Sequence, residues 1–341
     1  VRDPRVWLGL AFTAFFVWLV LRDVPFGEVA RAIGRANWWI LLSISIPSYV
    51  MVVYFRALRW RHLTDPILPI DTGPLFRAVA VGFMANNLFP LRMGEVVRSW
   101  YLGRETGASV AAIFGTVILE RVIDIVMVVL LAFGALAVFG SAGDAELRQG
   151  ALLLLPVALA PLAVLVALRV APERVLRIAG VLLRPLPARI GESIDQLLRR
   201  FTAGLGALRG GSHLVWIAIH SLVIWLVAST LPLIAGFLAL GIDFGSVSEM
   251  LGAAWITLAA IGVAVALPSA PGFFGAYHLA CKLALMRFGV PEATAVALGT
   301  IFHAVFWVTL TVLGLVVLRL RRTSLSDLDG AADPSESPSP R

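Results

Sequence analysis

Residues 86–95 read Asn86-Asn87-Leu88-Phe89-Pro90-Leu91-Arg92-Met93-Gly94-Glu95, and they interrupt an apolar run that begins near residue 75. Pro90 lacks the N–H that a helix interior needs and biases the residue before it away from helix, while Gly94 is a poor helix former. Asn86 and Asn87 place uncharged hydrogen-bonding groups at the same point. A second interruption, Pro268-Ser269-Ala270-Pro271-Gly272-Phe273-Phe274-Gly275, ends the apolar run 250–267. Pro90 and Gly94 share their spacing with Pro271 and Gly275. Further on, Gly115-Thr116-Val117-Ile118 matches Gly299-Thr300-Ile301-Phe302, with the gap changed by three residues. The order of these strings predicts a weak internal repeat.

The breaks matter because of where they fall. Of the 341 residues, 59% are hydrophobic and 14% charged, well above the apolar share of a soluble domain. Apolar runs cover about 6–21, 38–55, 75–90, 109–140, 151–168, 213–240, 250–267 and 291–318, with a short arm at 271–286. The longer runs can cross a hydrocarbon core of about 30 Å as helices. Val6–Leu21 follows Arg2 and Arg5 but precedes no small-residue cleavage pattern, so it reads as an uncleaved first helix. A lone cysteine, Cys281, excludes an intrachain disulfide.

The net charge of +7 comes almost wholly from arginine, Lys282 being the one lysine. Most of these arginines flank apolar spans, which fits orientation and anionic-lipid contact rather than nucleic acid. Eight full crossings would put either 169–212 or Arg56, Arg59 and Arg61 outside, against the excess of basic residues in cytoplasmic loops. The distribution is repaired if 75–90 dips in from the cytoplasm and 250–267 with 271–286 dips in from outside. The expected fold is an all-α polytopic membrane protein with about six crossing helices, two re-entrant hairpins and an inverted repeat. One transmembrane domain spans 1–322, with repeat halves at about 38–140 and 213–320 and a cytoplasmic amphipathic segment at 172–210. A disordered tail at 323–341 completes the expected organisation; its Asp327-Leu328-Asp329 is a chance D-x-D match. Cytoplasmic N- and C-termini in the cell (inner) membrane follow from the charge pattern.

Inverted repeats with broken helices are common in secondary transporters, whose sites lie where the breaks meet. Freed backbone groups at membrane depth need protein or a water-filled cavity to satisfy them. Ordinary kinks in crossing helices are the alternative. Within 109–140, Glu120 and Asp124 stand at i and i+4 and Arg121 reaches Asp124 at i+3. Such charges are costly in lipid, so they line a site or lock helices as an ion pair. Past the first break, Arg92, Glu95 and Arg98 cluster with Arg104, and an arginine fork suits a lipid phosphate. His278 and His303 lie in the second half. No two histidines have metal-binding spacing, and no serine-nucleophile motif is present. Catalytic residues, metal and cofactor are therefore expected to be none.

Asn87-x-x-Pro90-x-Arg92-x-Gly94-Glu95, Glu120-Arg121-x-x-Asp124 and Pro268-x-x-Pro271-Gly272-x-x-Gly275 together resemble the transmembrane flippase domain of lysylphosphatidylglycerol synthases and its stand-alone relatives, over about 5–320. That resemblance implies transbilayer movement of a lipid with a polar headgroup, without the cytosolic domain that makes the aminoacylated lipid. It carries over Asn87, Arg92, Glu95, Glu120, Arg121 and Asp124 as cavity residues. Asn86, Pro90, Gly94, Arg98, Pro268, Ser269, Pro271, Gly272, Gly275, His278 and His303 complete the candidate set. His278 stands where relatives often have an acidic residue. Expected partners are membrane lipids (anionic or aminoacylated phospholipid, or polyprenyl-linked lipid) and a lipid synthase, with an oligomer allowed and no nucleic acid. The alternatives are a membrane-embedded lipid glycosyltransferase and a non-catalytic partner of a lipid synthase.

Overall fold

Proline, glycine and polar residues divide the apolar runs into separate helices. The computed structural model describes residues 25–65, 68–89, 93–139, 171–182, 211–266 and 271–324, together with Trp18 and single helical positions between 149 and 170. The run 6–21 (Trp18 apart), the amphipathic stretch 183–210 and the tail from 325 lie outside the described residues. Among the described residues the secondary structure is entirely helical. In chain order the helices are α1 Phe26–Arg35, α2 Trp38–Thr64, α3 Thr72–Leu88, α4 Gly94–Thr106, α5 Val110–Phe139, α6 Pro172–Leu182, α7 Gly211–Leu222, α8 Thr230–Leu240, α9 Val247–Ala266, α10 Ala276–Met286 and α11 Glu292–Leu320. A π-helical segment, Val223–Ala228, joins α7 to α8, and a 3-10 turn, Pro271–Phe273, precedes α10.

Among the described residues four stretches are long and apolar enough to cross a membrane: Trp38–Thr64, Ser212–Leu240, Val247–Val265 and Glu292–Leu320. The protein is therefore a multi-pass α-helical membrane protein. Its outward-facing apolar side chains, such as Trp39, Leu130, Val215 and Val312, are those a hydrocarbon environment accepts.

Both sequence breaks produce helical hairpins. Arg77 of α3 pairs with Glu105 of α4, Gly82 lies against Arg98, and Asn86 against Gly94, so the two arms run antiparallel from one end of the molecule. The tip is tight. A Cβ on Gly94 would overlap the Gly82 carbonyl and the Asn86 side chain, while Asn86 Oδ1 accepts from the Gly94 N–H at 2.8 Å. At the second break α9 and α10 also pack together, and Phe244, just before α9, meets Phe288, just after α10, at 6.4 Å between ring centroids, so these arms are antiparallel too. Gly272 has a φ of +74°, and a Cβ there would press on Phe274 and Trp307.

The two halves pack reciprocally. The first arm of each hairpin lies on the last helix of the other half, α3 on α11 and α9 on α5. Met84 and Ala80 meet Gly314, and Val128 meets Gly262. Asn87 donates to the Trp307 carbonyl at 3.2 Å and to Thr311 Oγ1 at 3.0 Å. The leading helices α2 and α8 pack on each other, and the Asn37 N–H donates to the Ala239 carbonyl at 2.8 Å. The Pro271–Phe273 turn packs against α3.

Two details differ from the apolar-run pattern. α2 continues past residue 55 to Thr64, because nothing before Asp65-Pro66 stops it. α1 occupies a stretch between apolar runs and packs on α11. The arms of the second hairpin are unequal. α9 has 20 residues and α10 has 11, about 30 and 16 Å of helix.

Candidate functional site

α5 carries three charged residues within two turns, and α2 and α4 supply the charges that meet them. Glu120 is fully buried, and four guanidinium groups approach it. It lies 3.0 Å from Arg56 Nη1, 3.3 Å from Arg59 Nη2, 3.1 Å from Arg98 Nη2 and 2.6 Å from Arg121 Nη2. Asp124, one turn on, meets Arg56 at 2.8 Å, Arg59 at 2.9 Å and Arg121 at 3.0 Å. Trp225 Nε1 also donates to Asp124 at 3.3 Å. Trp225 belongs to the π-helical segment, where the Ser229 N–H bonds five residues back to the Ile224 carbonyl. Such a bulge re-aims side chains and often marks a functional site.

Aromatic and hydroxyl groups hold the arginines from outside. Arg98 lies 4.6 Å over the Trp60 ring, and Trp60 Nε1 donates to Thr116 Oγ1 at 2.7 Å. Arg56 lies 5.6 Å over Phe83. Arg59 Nη1 donates to Ser221 Oγ at 3.1 Å, tying α2 to α7. Glu95 stands 3.9 Å from Arg121.

The cluster carries a positive surplus. Arg56, Arg59, Arg98 and Arg121 face Glu95, Glu120 and Asp124, which leaves one charge uncompensated among the described residues. The Nε atoms of all four arginines are buried without a hydrogen-bond partner among those residues. Most of the cluster is sealed, with Arg59 and Glu120 wholly buried, whereas Arg121 is 34% exposed along its side chain. Arg121, paired with Glu120, Asp124 and Glu95, is the arginine of this surplus-positive cluster that an anion can most readily reach.

The second break gathers rings instead of charges. His278 and His303 lie 5.0 Å apart, centroid to centroid. Tyr277 stacks on His303 at 4.4 Å and Phe274 meets it edge-on at 4.9 Å. His303 Nε2 and Trp307 Nε1 are buried without a partner among the described residues. Tyr49, Phe306 and Phe83 continue the rings toward Arg56, at 5.4 and 6.2 Å centroid separations.

The sequence-derived set thus divides by role. Glu95, Arg98, Glu120, Arg121 and Asp124 meet in the charged cluster. Asn86 and Gly94 build the first hairpin tip, and Asn87 fastens it to α11. Gly272, Gly275, His278 and His303 belong to the second break, where Pro271 opens the turn. Pro90, Arg92, Pro268 and Ser269 lie outside the described residues. The charge pattern puts Arg56, Arg59 and Arg61 in a cytoplasmic loop; the structure corrects this, since all three belong to α2, and Arg56 and Arg59 sit at the centre of the cluster. The usable signal is their i, i+3 spacing in an unbroken helix, which sets both on one face. Ser221 and Trp225 left no comparable mark.

The profile of the lysylphosphatidylglycerol synthase TM region matches residues 6–314. The chain belongs to this family. It is 25% identical to a UPF0104 membrane protein of Pyrococcus horikoshii, over 94% of this chain and 97% of that protein. A UPF0104 membrane protein of Methanothermobacter thermautotrophicus is 34% identical over 110 residues, 31% of this chain and 32% of that protein. The glycosyltransferase AglD of Haloferax volcanii is 24% identical over 89% of this chain, which spans only 52% of that relative. No solved structure matches.

Proposed function

We propose that the protein moves a lipid with a polar, phosphate-containing headgroup across the bilayer, as a flippase or scramblase. The observation that carries this is the buried arginine-rich cluster with a positive surplus and one partly exposed member, Arg121. Its depth suits the task. Arg56 lies eight residues before the end of α2, and Glu120 ten residues after the start of α5, about 12 and 15 Å along their axes. Those two helix ends sit together, since Thr64 and Leu68 share a hollow with Ala108 and Ala112. Half of a hydrocarbon core is about 15 Å, so the charges fall near the midplane. A charge there costs about 2.5–3.5 kcal/mol on the insertion scale, which mutual pairing offsets. Headgroup phosphate would exchange for part of that pairing at Arg121 while the acyl tails stay in hydrocarbon.

The reciprocal packing supports an inverted repeat whose hairpins are re-entrant, the first from the cytoplasm and the second from outside. The joined ends of α2, α5 and the first hairpin would then be cytoplasmic. The name of the Haloferax relative is the one observation that favours a glycosyltransferase reading. Purified protein in proteoliposomes, with fluorescent phosphatidylglycerol and no sugar donor, distinguishes the two. Transport moves the lipid between leaflets under these conditions. A donor-dependent enzyme leaves the leaflet distribution at the rate of empty liposomes, and that outcome would refute the proposal.

A further inference from the structure

The five histidines form two groups, His278 with His303, and His62 with His213 and His220. The second group lies apart from the candidate set, where α2 ends and α7 begins. His62 Nδ1 and His213 Nδ1 face each other at 3.3 Å. The carboxylate of Asp65 completes a set whose ligand atoms all lie within 4.8 Å of one another. Sequence spacing conceals the group, because His62 and His213 are 151 residues apart.

We infer that His62, Asp65 and His213 form a binding site for a divalent transition-metal ion of the zinc class. The distance is the first argument. Two imidazole nitrogens bound tetrahedrally at about 2.0–2.1 Å from zinc stand roughly 3.3 Å apart, the separation found here. The ligand chemistry is the second. Two imidazoles and one carboxylate suit a borderline ion, and three protein ligands leave a fourth position for water or an incoming group. Access is the third, since all three residues are partly exposed, so an ion can enter from the aqueous end of the helices.

The surroundings hold the ligands in place. His62 stacks on His220 at 5.5 Å and on Trp216 at 6.4 Å, with interplanar angles of 18° and 8°. His220 precedes Ser221, the partner of Arg59. A bound ion would therefore clamp α2 to α7 one turn from the charged cluster. Arg61 approaches Asp65 at 3.9 Å and competes with the ion for that carboxylate.

Zinc titration of the full chain in nanodiscs, with any polyhistidine tag removed, tests the site. Wild type should bind one zinc per chain at this site, and cobalt(II) in its place should show the visible absorption of a tetrahedral ion. Losing a second-shell partner alone weakens a metal site 10–100-fold, so His213→Gln and Asp65→Asn should each weaken binding at least ~100-fold. Arg61→Gln should bind at least as tightly as wild type, and His278→Gln should match it. Wild type that binds no zinc overturns the inference, as does a His62→Gln/His213→Gln double variant that binds as tightly as wild type. The cobalt spectrum of wild type decides the matter without any variant, and an octahedral spectrum unchanged by zinc also overturns it. The outcome is independent of lipid transport.

Discussion

Replacing Glu120 by Gln should destabilise the protein more than any other single change in the charged cluster. Glu120 is the carboxylate that all four arginines share, each within 3.3 Å, and it is wholly buried. Glutamine keeps the shape and one acceptor but removes the charge, so the surplus rises from one positive charge to two. Breaking a buried ion pair by removing one partner costs about 3–5 kcal/mol, because a charge is left uncompensated in a medium that solvates it poorly. Arg98 is the most dependent of the four, since its ion pairing among the described residues is with Glu120 alone. Adding Arg98→Gln to Glu120→Gln removes that orphan and returns the surplus to one. The double variant should therefore be about 0.5–3 kcal/mol more stable than the sum of the two single effects, the range measured for coupled neighbours. Equilibrium unfolding in mixed micelles, read by tryptophan fluorescence, measures all four members of the cycle. A Glu120→Gln variant within about 1 kcal/mol of wild type, or strictly additive effects, would refute the charge accounting.

Two further outcomes follow from the hairpins and their orientation. Gly94→Ala sets a methyl group against the Gly82 backbone carbonyl, which cannot rotate away, so unfolding measurements should show a loss of about 1–3 kcal/mol. Gly180→Ala, whose Cβ would meet open space on helix α6, should be neutral or gain up to about 1 kcal/mol in the same assay. In a Cys281→Ala background, single cysteines at the exposed positions Asp71, Ser109 and Ser246 report sidedness. A thiol reagent confined to the outside should label 246 and spare 71 and 109; labelling of 71 without 109 would contradict a first hairpin that returns to its own side.

The breaks were legible because proline and glycine cannot continue a helix whatever surrounds them, and the acidic pair was legible because i, i+4 spacing fixes a shared face. Glu120, Arg121 and Asp124 needed only their own helix to be recognised. Arg56 and Arg59 needed a partner 61 or more residues away. A basic residue just beyond an apolar run looks the same whether it ends in solvent or turns inward. Long-range pairing also decides the histidines. His62 and His213 carry no local pattern, and only the packing of α2 on α7 brings their rings together. The π-helical turn that aims Trp225 at Asp124 has no proline or glycine to announce it.

Under the proposed function, Arg121 takes part in lipid movement and is not only a member of a structural clamp. Its side chain is one-third exposed, and without it Glu120 keeps Arg56, Arg59 and Arg98 while Asp124 keeps Arg56, Arg59 and Trp225. Arg121→Gln should therefore unfold within about 1 kcal/mol of wild type, as expected for a partly solvated charge. Arg104, stacked on Trp100 at 5.3 Å and remote from the cluster, provides the matched control. The deciding measurement is the initial rate of phosphatidylglycerol movement in proteoliposomes of equal protein content. Wild type and Arg104→Gln should move lipid equally, and Arg121→Gln at least ~10-fold more slowly, about 1.4 kcal/mol of barrier. An Arg121→Gln protein that folds normally and moves lipid at the wild-type rate would leave Arg121 with no part in transport and overturn the proposed function of the cluster.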